Sequence, residues 1–535
     1  MLRRIDPVFD CWFESGAVPY ARLHYPFENK EKLERGLPCD FIAEGLDQTR
    51  GWFYTLTVLG THLFGRCPFK NLIVNGLVLA EDGKKMSKRL KNYPDPDDIL
   101  RKHGADALRL YLVSSPAVRA EPLRFKQASV EAVVKELLLP LYNSFCFLEQ
   151  SLPDGFVFDP DQKTPLANTT DTWIVSRLNS LIKKVHAGME EYKLYDAVPP
   201  IFSFIDSLTN WYIRFNRKRL RSPQSNSHRV LFGVLHSLVT TAAPFAPFIT
   251  ETIYQKLRPM MKQGDGADTR SVHFLQIPDA DEKAICTETE RRFARMQRVV
   301  EETRMLRETN RLPLKTPLAA LKVSCLTDEV RDDILSLQDY IVAEVNVRAF
   351  SAAGDMAAVE FEKTAVPNFK ILGPKLGAKI KTVSAAVRSL TQDQIDSYVG
   401  RGWIEAGGVV LEKDDLEIRK TLAGKTGSVE TCLTEEFCLF LDTAVDEELA
   451  CSGHTRELFS LVQRLRKKAG IVPSQKVSVY IEAPQDSPRI EKTVSMLEKE
   501  LAQTILRDCP EEDVEATEAT VFGEKAILSV SKSPK

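Results

Sequence analysis

Phe41-Ile-Ala-Glu44-Gly45-Leu-Asp47-Gln48-Thr-Arg50-Gly51-Trp52-Phe53-Tyr54 is the stretch on which the fold turns. An apolar run gives way to two carboxylates, an amide and two glycines, and apolar residues then crowd from Trp52 to Leu63. A strand passing into a helix that packs on a sheet has this pattern. Open α/β sheets bind ligands beside the carboxyl ends of their strands. Glycine there lets a ligand approach the backbone, and Glu44 or Asp47 could take an α-ammonium group or ribose hydroxyls. A helix N-terminus whose dipole favours acidic residues explains Glu44 and Asp47 equally well, but not Gln48.

Downstream, Asn71-Leu-Ile-Val-Asn75-Gly76-Leu-Val-Leu79 sets two β-rich runs around Asn-Gly, which predicts a hairpin. Asp82-Gly83 then turns the chain into Lys84-Lys85-Met86-Ser87-Lys88-Arg89, with four cations in six residues. Ammonium and backbone N–H groups in such a loop can wrap a polyphosphate and offset charge on a leaving pyrophosphate. A solvated basic loop has the same composition. Asp95-Pro96 reads as an N-cap with a first-turn proline, opening a helix towards His103-Gly104, with a second from Ala105 to Val113. Upstream, Asp6-Pro-Val-Phe-Asp10-Cys-Trp12-Phe13-Glu-Ser15-Gly16 puts an aromatic pair before a Ser-Gly turn, which alone reads as core packing.

Residues 151–170 are rich in Pro, Asp, Thr and Asn and read as a linker. Asp171 is expected to open a helix, because Ile174, Leu178, Leu181 and Val185 form one apolar stripe. Further helices are predicted at 201–220 (Ile205, Leu208, Tyr212 and Phe215 inward), 229–243, 247–258 and 288–310, making 171–310 an all-α bundle. Beyond Leu312, short β-like runs (321–325, 409–411, 437–441) alternate with helices. A helix at 455–469 ended by Gly470 precedes a strand at 476–481, and an acidic tail at 510–518 carries little signal.

The 535 residues carry 72 basic and 74 acidic side chains, a formal −2, so any surface for nucleic acid must be local. Such a surface exists. Arg214, Arg217, Lys218 and Arg221 fall at i, i+3, i+4 and i+7 beside Trp211, and 171–229 holds ten basic against five acidic residues. RNA phosphates and unstacked bases suit that face, as does plain solvation. Arg291–Arg311, with seven arginines and three glutamates, could extend it. Ten cysteines without a C-x-x-C pair argue against a disulfide framework or a thiolate zinc site, and fit a reducing, cytoplasmic setting. The uncharged run 230–250 contains His236 and prolines at 244 and 247, so a buried bundle helix is expected there and no membrane span.

Taken in order, Asp-x-Trp-Phe-Glu-Ser-Gly, Glu-Gly-x-Asp-Gln-x-Arg-Gly-Trp-Phe and Lys-Met-Ser-Lys-Arg resemble the second half of a class I isoleucyl-tRNA synthetase catalytic domain. The likeness continues through Lys91-Asn-Tyr-Pro-Asp-Pro, His103-Gly-Ala-Asp-Ala-Leu-Arg109, Asn210-Trp-Tyr-Ile-Arg, Ala243-Pro-Phe-Ala-Pro-Phe and Arg311-Leu-Pro-Leu-Lys-x-Pro-Leu318. Arg89 at the end of the signature looks like the eukaryotic cytosolic form. The resemblance implies ATP and isoleucine as substrates, Mg2+ with the ATP, no protein-bound zinc, and tRNA-Ile as partner; membership of a multi-synthetase assembly stays open. It assigns Lys88 and Lys85 to catalysis on the ATP phosphates, within Lys85, Met86, Ser87 and Lys88. Glu44, Gly45 and Asp47 would hold the aminoacyl-adenylate, and Trp12, Gln48 and Trp52 the isoleucine side chain. The bundle, with Arg214, Arg217, Lys218 and Arg221, would bind tRNA.

The resemblance also implies a multidomain α/β plus all-α chain. It has the C-terminal part of a Rossmann-type catalytic domain at 1–135 and a connecting segment at 136–170. A helical anticodon-binding bundle at 171–318, an α+β region at 319–484 and a shortened extension at 485–535 follow. The eight histidines include no His-x-Gly-His pair, and no editing domain is present. The polypeptide by itself is therefore expected not to complete aminoacylation. A non-catalytic tRNA-binding protein and valine specificity are the competing readings.

Overall fold

The computed structural model describes the chain except residues 1, 2, 4, 8, 88, 161, 163, 167, 223, 224, 263–267, 357, 358, 360, 423–426, 472–474, 476, 485, 486, 508–513 and 532–535, and the side chains of 361, 362, 378 and 419–422. It divides into two compact units, Met1–Glu290 and Arg291–Lys535.

In the first unit, β1 (Cys39–Gly45) pairs in parallel with β2 (Phe69–Asn75), with Cys39 opposite Phe69 and Gly45 opposite Asn75. The helix Trp52–Phe64 crosses between them and buries Phe53 and Leu56 against Ile42. The opening stretch is thus a strand–turn–helix of a βαβ unit. The expected hairpin at Asn75-Gly76 does not form. β3 (Val78–Leu79) instead pairs in parallel with β4 (Leu123–Arg124). The reason is close approach: the Gly76 N–H donates to the Ala117 carbonyl at 2.7 Å, and a Cβ on Gly76 would strike the Glu121 backbone. Glycine here admits a neighbouring segment instead of reversing its own chain.

Helices Pro96–His103 and Ala105–Val113 form as predicted, the first capped by the Asp95 carboxylate on the Asp97 N–H at 2.9 Å. The boundary expected at 135 falls within helical chain. Gln127–Val133 runs through a π-helical turn, Val134–Leu138, into Leu139–Ser151, which buries Leu141, Phe145 and Leu148. Much of the expected connector is therefore core.

The first bundle helix, Thr169–Glu190, buries Ile174, Leu178, Leu181 and Val185 as their spacing requires. Its cap is Asn168, which accepts the Thr170 N–H at 2.8 Å, and not Asp171, whose carboxylate lies 1% exposed inside the bundle. The helix expected at 201–220 is three consecutive pieces: Pro199–Asp206, a π-helical Ser207–Ile213, and Arg214–Leu220. The wider π turn shifts the following register. Ile205, Leu208 and Tyr212 stay buried, but Phe215 is half-buried and Asn216 takes the inward position. Ser227–Ala242 and Pro247–Leu257 complete the layer, with most of the uncharged run buried in it and Pro244 and Phe248 exposed. Among the described residues no helix is long and apolar enough to cross a membrane.

In the second unit, β5 (Leu318–Cys325) and β6 (Val347–Ala353) are parallel, joined across helices Asp328–Leu335 and Gln338–Val345. Two inserted pairs follow: β7 (Phe361–Pro367) with β10 (Leu416–Leu422), and β8 (Trp403–Ala406) with β9 (Val409–Glu412). They carry their own core around Leu372, Val383, Ile395 and Leu411. β11 (Val429–Leu433) and β12 (Phe437–Asp442) complete the sheet in the order β11-β12-β5-β6. The helix expected at 455–469 starts earlier, at Glu447, and runs to Lys468. The boundary expected at 484 falls inside a folded layer. β13 (Ser478–Glu482) pairs with β15 (Glu524–Ser531), which pairs with β14 (Val514–Val521), all packed with Glu447–Lys468 and Pro488–Leu501. The acidic tail from 514 onward is thus strand, while 510–513 lie outside the described residues.

Candidate functional site

The turn after β1 brings most of the expected pocket residues together. Gly45 ends the strand, and Leu46–Arg50 make a 3-10 turn. Gln48 faces inward from it: its Oε1 accepts the Trp52 backbone N–H at 3.0 Å, and its amide donates to Asp47 Oδ2 at 3.2 Å. The aromatic segment is a short helix, Cys11–Gly16, capped by Asp10 on the Phe13 N–H at 2.8 Å. The Ser15-Gly16 step is its end and not a free turn. A Cβ at Gly16 would meet Leu59 and Thr55 at 2.9 Å, so glycine lets this helix lie directly on Trp52–Phe64. Two consequences follow. The Trp52 indole N–H donates to the Ser15 carbonyl at 3.0 Å, and a Cβ on Gly51 would sit 2.8 Å from the Trp12 ring. Trp12, Gln48 and Trp52 are therefore assembled around Gly51, whose role the sequence reading did not single out. Trp12 remains 45% exposed.

Glu44 and Asp47 are exposed at the carboxyl end of β1, with Gly45 half-buried between them. From the same edge β2 ends at Asn75, opposite Gly45, and the chain continues through β3 into the cationic loop. That loop is built by local bonds. The Asp82 carboxylate accepts the Lys84 N–H at 3.0 Å, which holds its pKa below the ordinary range, and Gly83 adopts φ 81°. Asn92 is the residue that sequence reasoning missed. Its Oδ1 accepts the Ser87 N–H at 2.9 Å and its amide donates to the Lys85 carbonyl at 3.2 Å, pinning the loop from both sides. Its place in Lys91-Asn-Tyr-Pro was the only signal. Lys85 is exposed, Met86 and Ser87 are half-buried, and Lys88 lies outside the described residues.

The cationic face survives the π-helical shift, since Arg214, Arg217, Lys218 and Arg221 are all exposed. Arg219, between them, is different. It reaches inward to the buried Asp171 at 2.7 Å, and Tyr212 donates its hydroxyl to the same carboxylate at 2.9 Å. Burial, reinforced by Asp171, pushes the Tyr212 phenol well above its ordinary value. Asn216 bridges Thr170 and the Tyr212 carbonyl, so no polar group in this network is left idle.

Six of the seven arginines of Arg291–Arg311 are engaged within the fold; Arg311 is exposed. Arg291, Arg292 and Arg295 converge on Asp333, 3% exposed, and Arg295 also meets Glu436 at 2.6 Å. Arg298 pairs with Glu302 and Arg304 with Glu344. Arg307, 2% exposed, donates to the carbonyls of Pro313, Thr316 and Asn346, and burial pulls its pKa to about 10. Asp333, Glu344 and Glu436, distant in sequence, offset much of what the local count makes basic, and Glu302 on the same helix takes Arg298.

Residues 1–124 match the family of class I tRNA synthetases (I, L, M and V), and residues 171–323 match the anticodon-binding domain of tRNA ligases. The fold is that of part of a class I tRNA synthetase catalytic domain followed by an anticodon-binding domain. The particular relatives are isoleucine–tRNA ligases of the cytoplasmic type. The chain is 42% identical to the cytoplasmic isoleucine–tRNA ligase of Saccharomyces cerevisiae over 542 residues, 98% of this chain and 51% of that one. It is 42% identical to the Mus musculus enzyme over 91% of this chain and 40% of that one, and 42% identical to the Schizosaccharomyces pombe enzyme over 97% and 50%. The chain spans about half the length of the curated relatives it matches.

Proposed function

We propose that this chain supplies the amino-acid pocket, the ATP loop and the tRNA-binding bundle of a cytoplasmic isoleucine–tRNA ligase. The reaction joins isoleucine and ATP to isoleucyl-adenylate and pyrophosphate, then transfers the isoleucyl group to tRNA-Ile. The observation that carries the reading is the assembly of Trp12, Gln48 and Trp52 around Gly51, beside Glu44 at a strand's carboxyl end.

Two indoles enclose a branched aliphatic chain without hydrogen-bonding it. Trp52 has its N–H committed to Ser15 and presents only its ring. Larger side chains are excluded sterically. Valine differs from isoleucine by one methylene, worth about 1–3 kcal/mol in such a pocket, of which this very pair is the standard example. Glu44 takes the adenylate, with Gly45 leaving the backbone accessible and Asp47 held in place by Gln48. Lys85 and Lys88 meet the phosphates, their ammonium groups offsetting charge as pyrophosphate leaves. Mg2+ arrives on those phosphates; among the described residues no three His, Cys, Asp or Glu side chains converge to hold an ion. Arg214, Arg217, Lys218 and Arg221 meet the phosphates of tRNA.

The test is calorimetric binding of a non-hydrolysable isoleucyl-adenylate analogue to the chain. We expect saturable binding, weakened at least about tenfold by Glu44→Ala and by Trp52→Ala, about 1.4 kcal/mol each. Equal affinity of wild type and both variants would refute the pocket. Tighter binding of the valyl analogue would favour valine specificity.

A further inference from the structure

A hollow lined in part by Trp52 lies apart from Trp12, Gln48 and Glu44. The candidate adenylate residues stand at the carboxyl ends of the strands, whereas this hollow is lined by the residues that start them, Cys39 of β1 and Phe69 of β2, paired opposite each other. Leu33, Leu37, Ile42 and Leu56 form its floor, each no more than 8% exposed, and Trp52 closes one wall. Its volume is about 200 Å³. An apolar cavity of about 150 Å³ stays dry and takes up benzene, so this one accommodates a hydrocarbon body of about six to eight carbons.

The rim is charged with one sign. Among the described residues, Arg22 and Lys32 are the only ionisable side chains lining it besides the Cys39 thiol, and both are exposed. No carboxylate among them lines the hollow to neutralise these cations. Burial pushes the Cys39 thiol up, so it brings no anion either. An apolar interior beneath two cations is complementary to an apolar chain ending in an anion. A carboxylate suits Arg22, whose planar guanidinium can hold both oxygens.

We propose that this hollow binds a small aliphatic carboxylate, its chain against Leu33, Leu37, Ile42 and Leu56 and its head on Arg22 and Lys32. Trp52 makes the site consequential. The same residue donates its indole N–H to Ser15 and its backbone N–H to Gln48, so an occupant pressing on its ring bears on the wall of the aminoacyl pocket. The binding itself does not depend on the proposed ligase function; only that consequence rests on it.

The experiment titrates the full chain with octanoate and with 4-methylpentanoate, read by calorimetry and by tryptophan fluorescence, with acetate and 4-methylpentanol as controls. Saturable binding is expected below about 10 mM for both acids, at least tenfold weaker for acetate and for the alcohol. Trp52→Phe should remove the fluorescence change and keep the heat. Arg22→Ala with Lys32→Ala should weaken the acids about tenfold. Gly36 lines the hollow and a Cβ there meets nothing within 4 Å, so Gly36→Phe places a ring at the edge of the hollow and should abolish binding. No saturable binding, or binding untouched by Gly36→Phe, overturns the site. Binding indifferent to the two cations overturns its carboxylate specificity. The isoleucyl-adenylate analogue, measured on Gly36→Phe, separates the two proposals: it should still bind, and its failure on wild type would sink the ligase reading alone.

Discussion

Asp106→Ala should loosen the joint between the loop-bearing segment and the bundle, at a cost that the structure sets. The helix Pro247–Leu257 starts from Ala246, which has no side chain to cap it. Asp106, 5% exposed on the helix Ala105–Val113, supplies the cap from outside, accepting the Ile249 N–H at 2.7 Å and the Phe248 N–H at 3.3 Å. One turn on, Arg109 donates to the carbonyls of Pro244 at 2.9 Å and Phe245 at 3.3 Å. Loss of a cap costs about 0.5–2 kcal/mol, and a negative charge at a partly buried N-terminus adds up to about 2 kcal/mol. Asp106→Ala should therefore cost about 2–3 kcal/mol. Asp106→Asn keeps an acceptor and loses the charge, and should cost about 1 kcal/mol. Urea unfolding followed by circular dichroism measures both, provided m is unchanged. A cost for Asp106→Ala below about 0.5 kcal/mol, or equal costs for the two variants, would refute the tertiary cap.

Further outcomes separate roles that look alike in the sequence. Arg217→Glu with Lys218→Glu should weaken tRNA binding and flatten its salt dependence by about 0.9 in log–log slope for each phosphate no longer engaged. Unchanged binding in a filter assay would remove both from the interface. Arg219→Ala should instead destabilise the bundle by about 2–4 kcal/mol, because Asp171 would be left buried without its cation, and melting would reveal it. Asn92→Ala should speed tryptic cleavage at Lys84 and Lys85 without lowering stability by more than about 1 kcal/mol, and an unaltered cleavage rate would show the loop is held otherwise. His236 is half-buried with its Nε2 shut off from solvent, and burial pulls its pKa to about 4, so between there and about 6.5 the unfolded chain binds a proton that the folded chain refuses. Its contribution is full above about 6.5 and lost as pH falls towards 4, by up to about 3 kcal/mol; His236→Gln should remove that slope from urea unfolding measured from about pH 7 to 5.

Periodicity was legible where a residue's partner is solvent or the nearest core. The stripe Ile174–Val185 and the cap at Asp95 follow from local rules and formed as read. What stayed hidden depends on segments far apart in the chain. Asn75-Gly76 carries the usual hairpin signal, yet a glycine wanted for close approach and one wanted for a turn are the same letter. Asp171 and Asn168 both suit a helix start, and only the position of Arg219, 48 residues on, decides which is inside. Gln48 was noticed because a helix dipole does not explain an amide; Asn92 was passed over because nothing local was left unexplained.

Charge makes the same point with more consequence for function. Seven arginines between 291 and 311 outnumber the acids around them, as do the cations of 171–229, and composition ranks the two segments alike. The structure divides them by where their counter-charges lie. Asp333, Glu344 and Glu436 come from other elements of the second unit and engage Arg291, Arg292, Arg295 and Arg304 of the first set. In the bundle, Asp171 takes Arg219, while Arg217, Lys218 and Arg221 stay on the surface. A basic run is a meeting place for phosphate only after the fold has spent its own carboxylates. The cations that remain exposed here are therefore the ones whose reversal should reach tRNA, while the others should reach stability first.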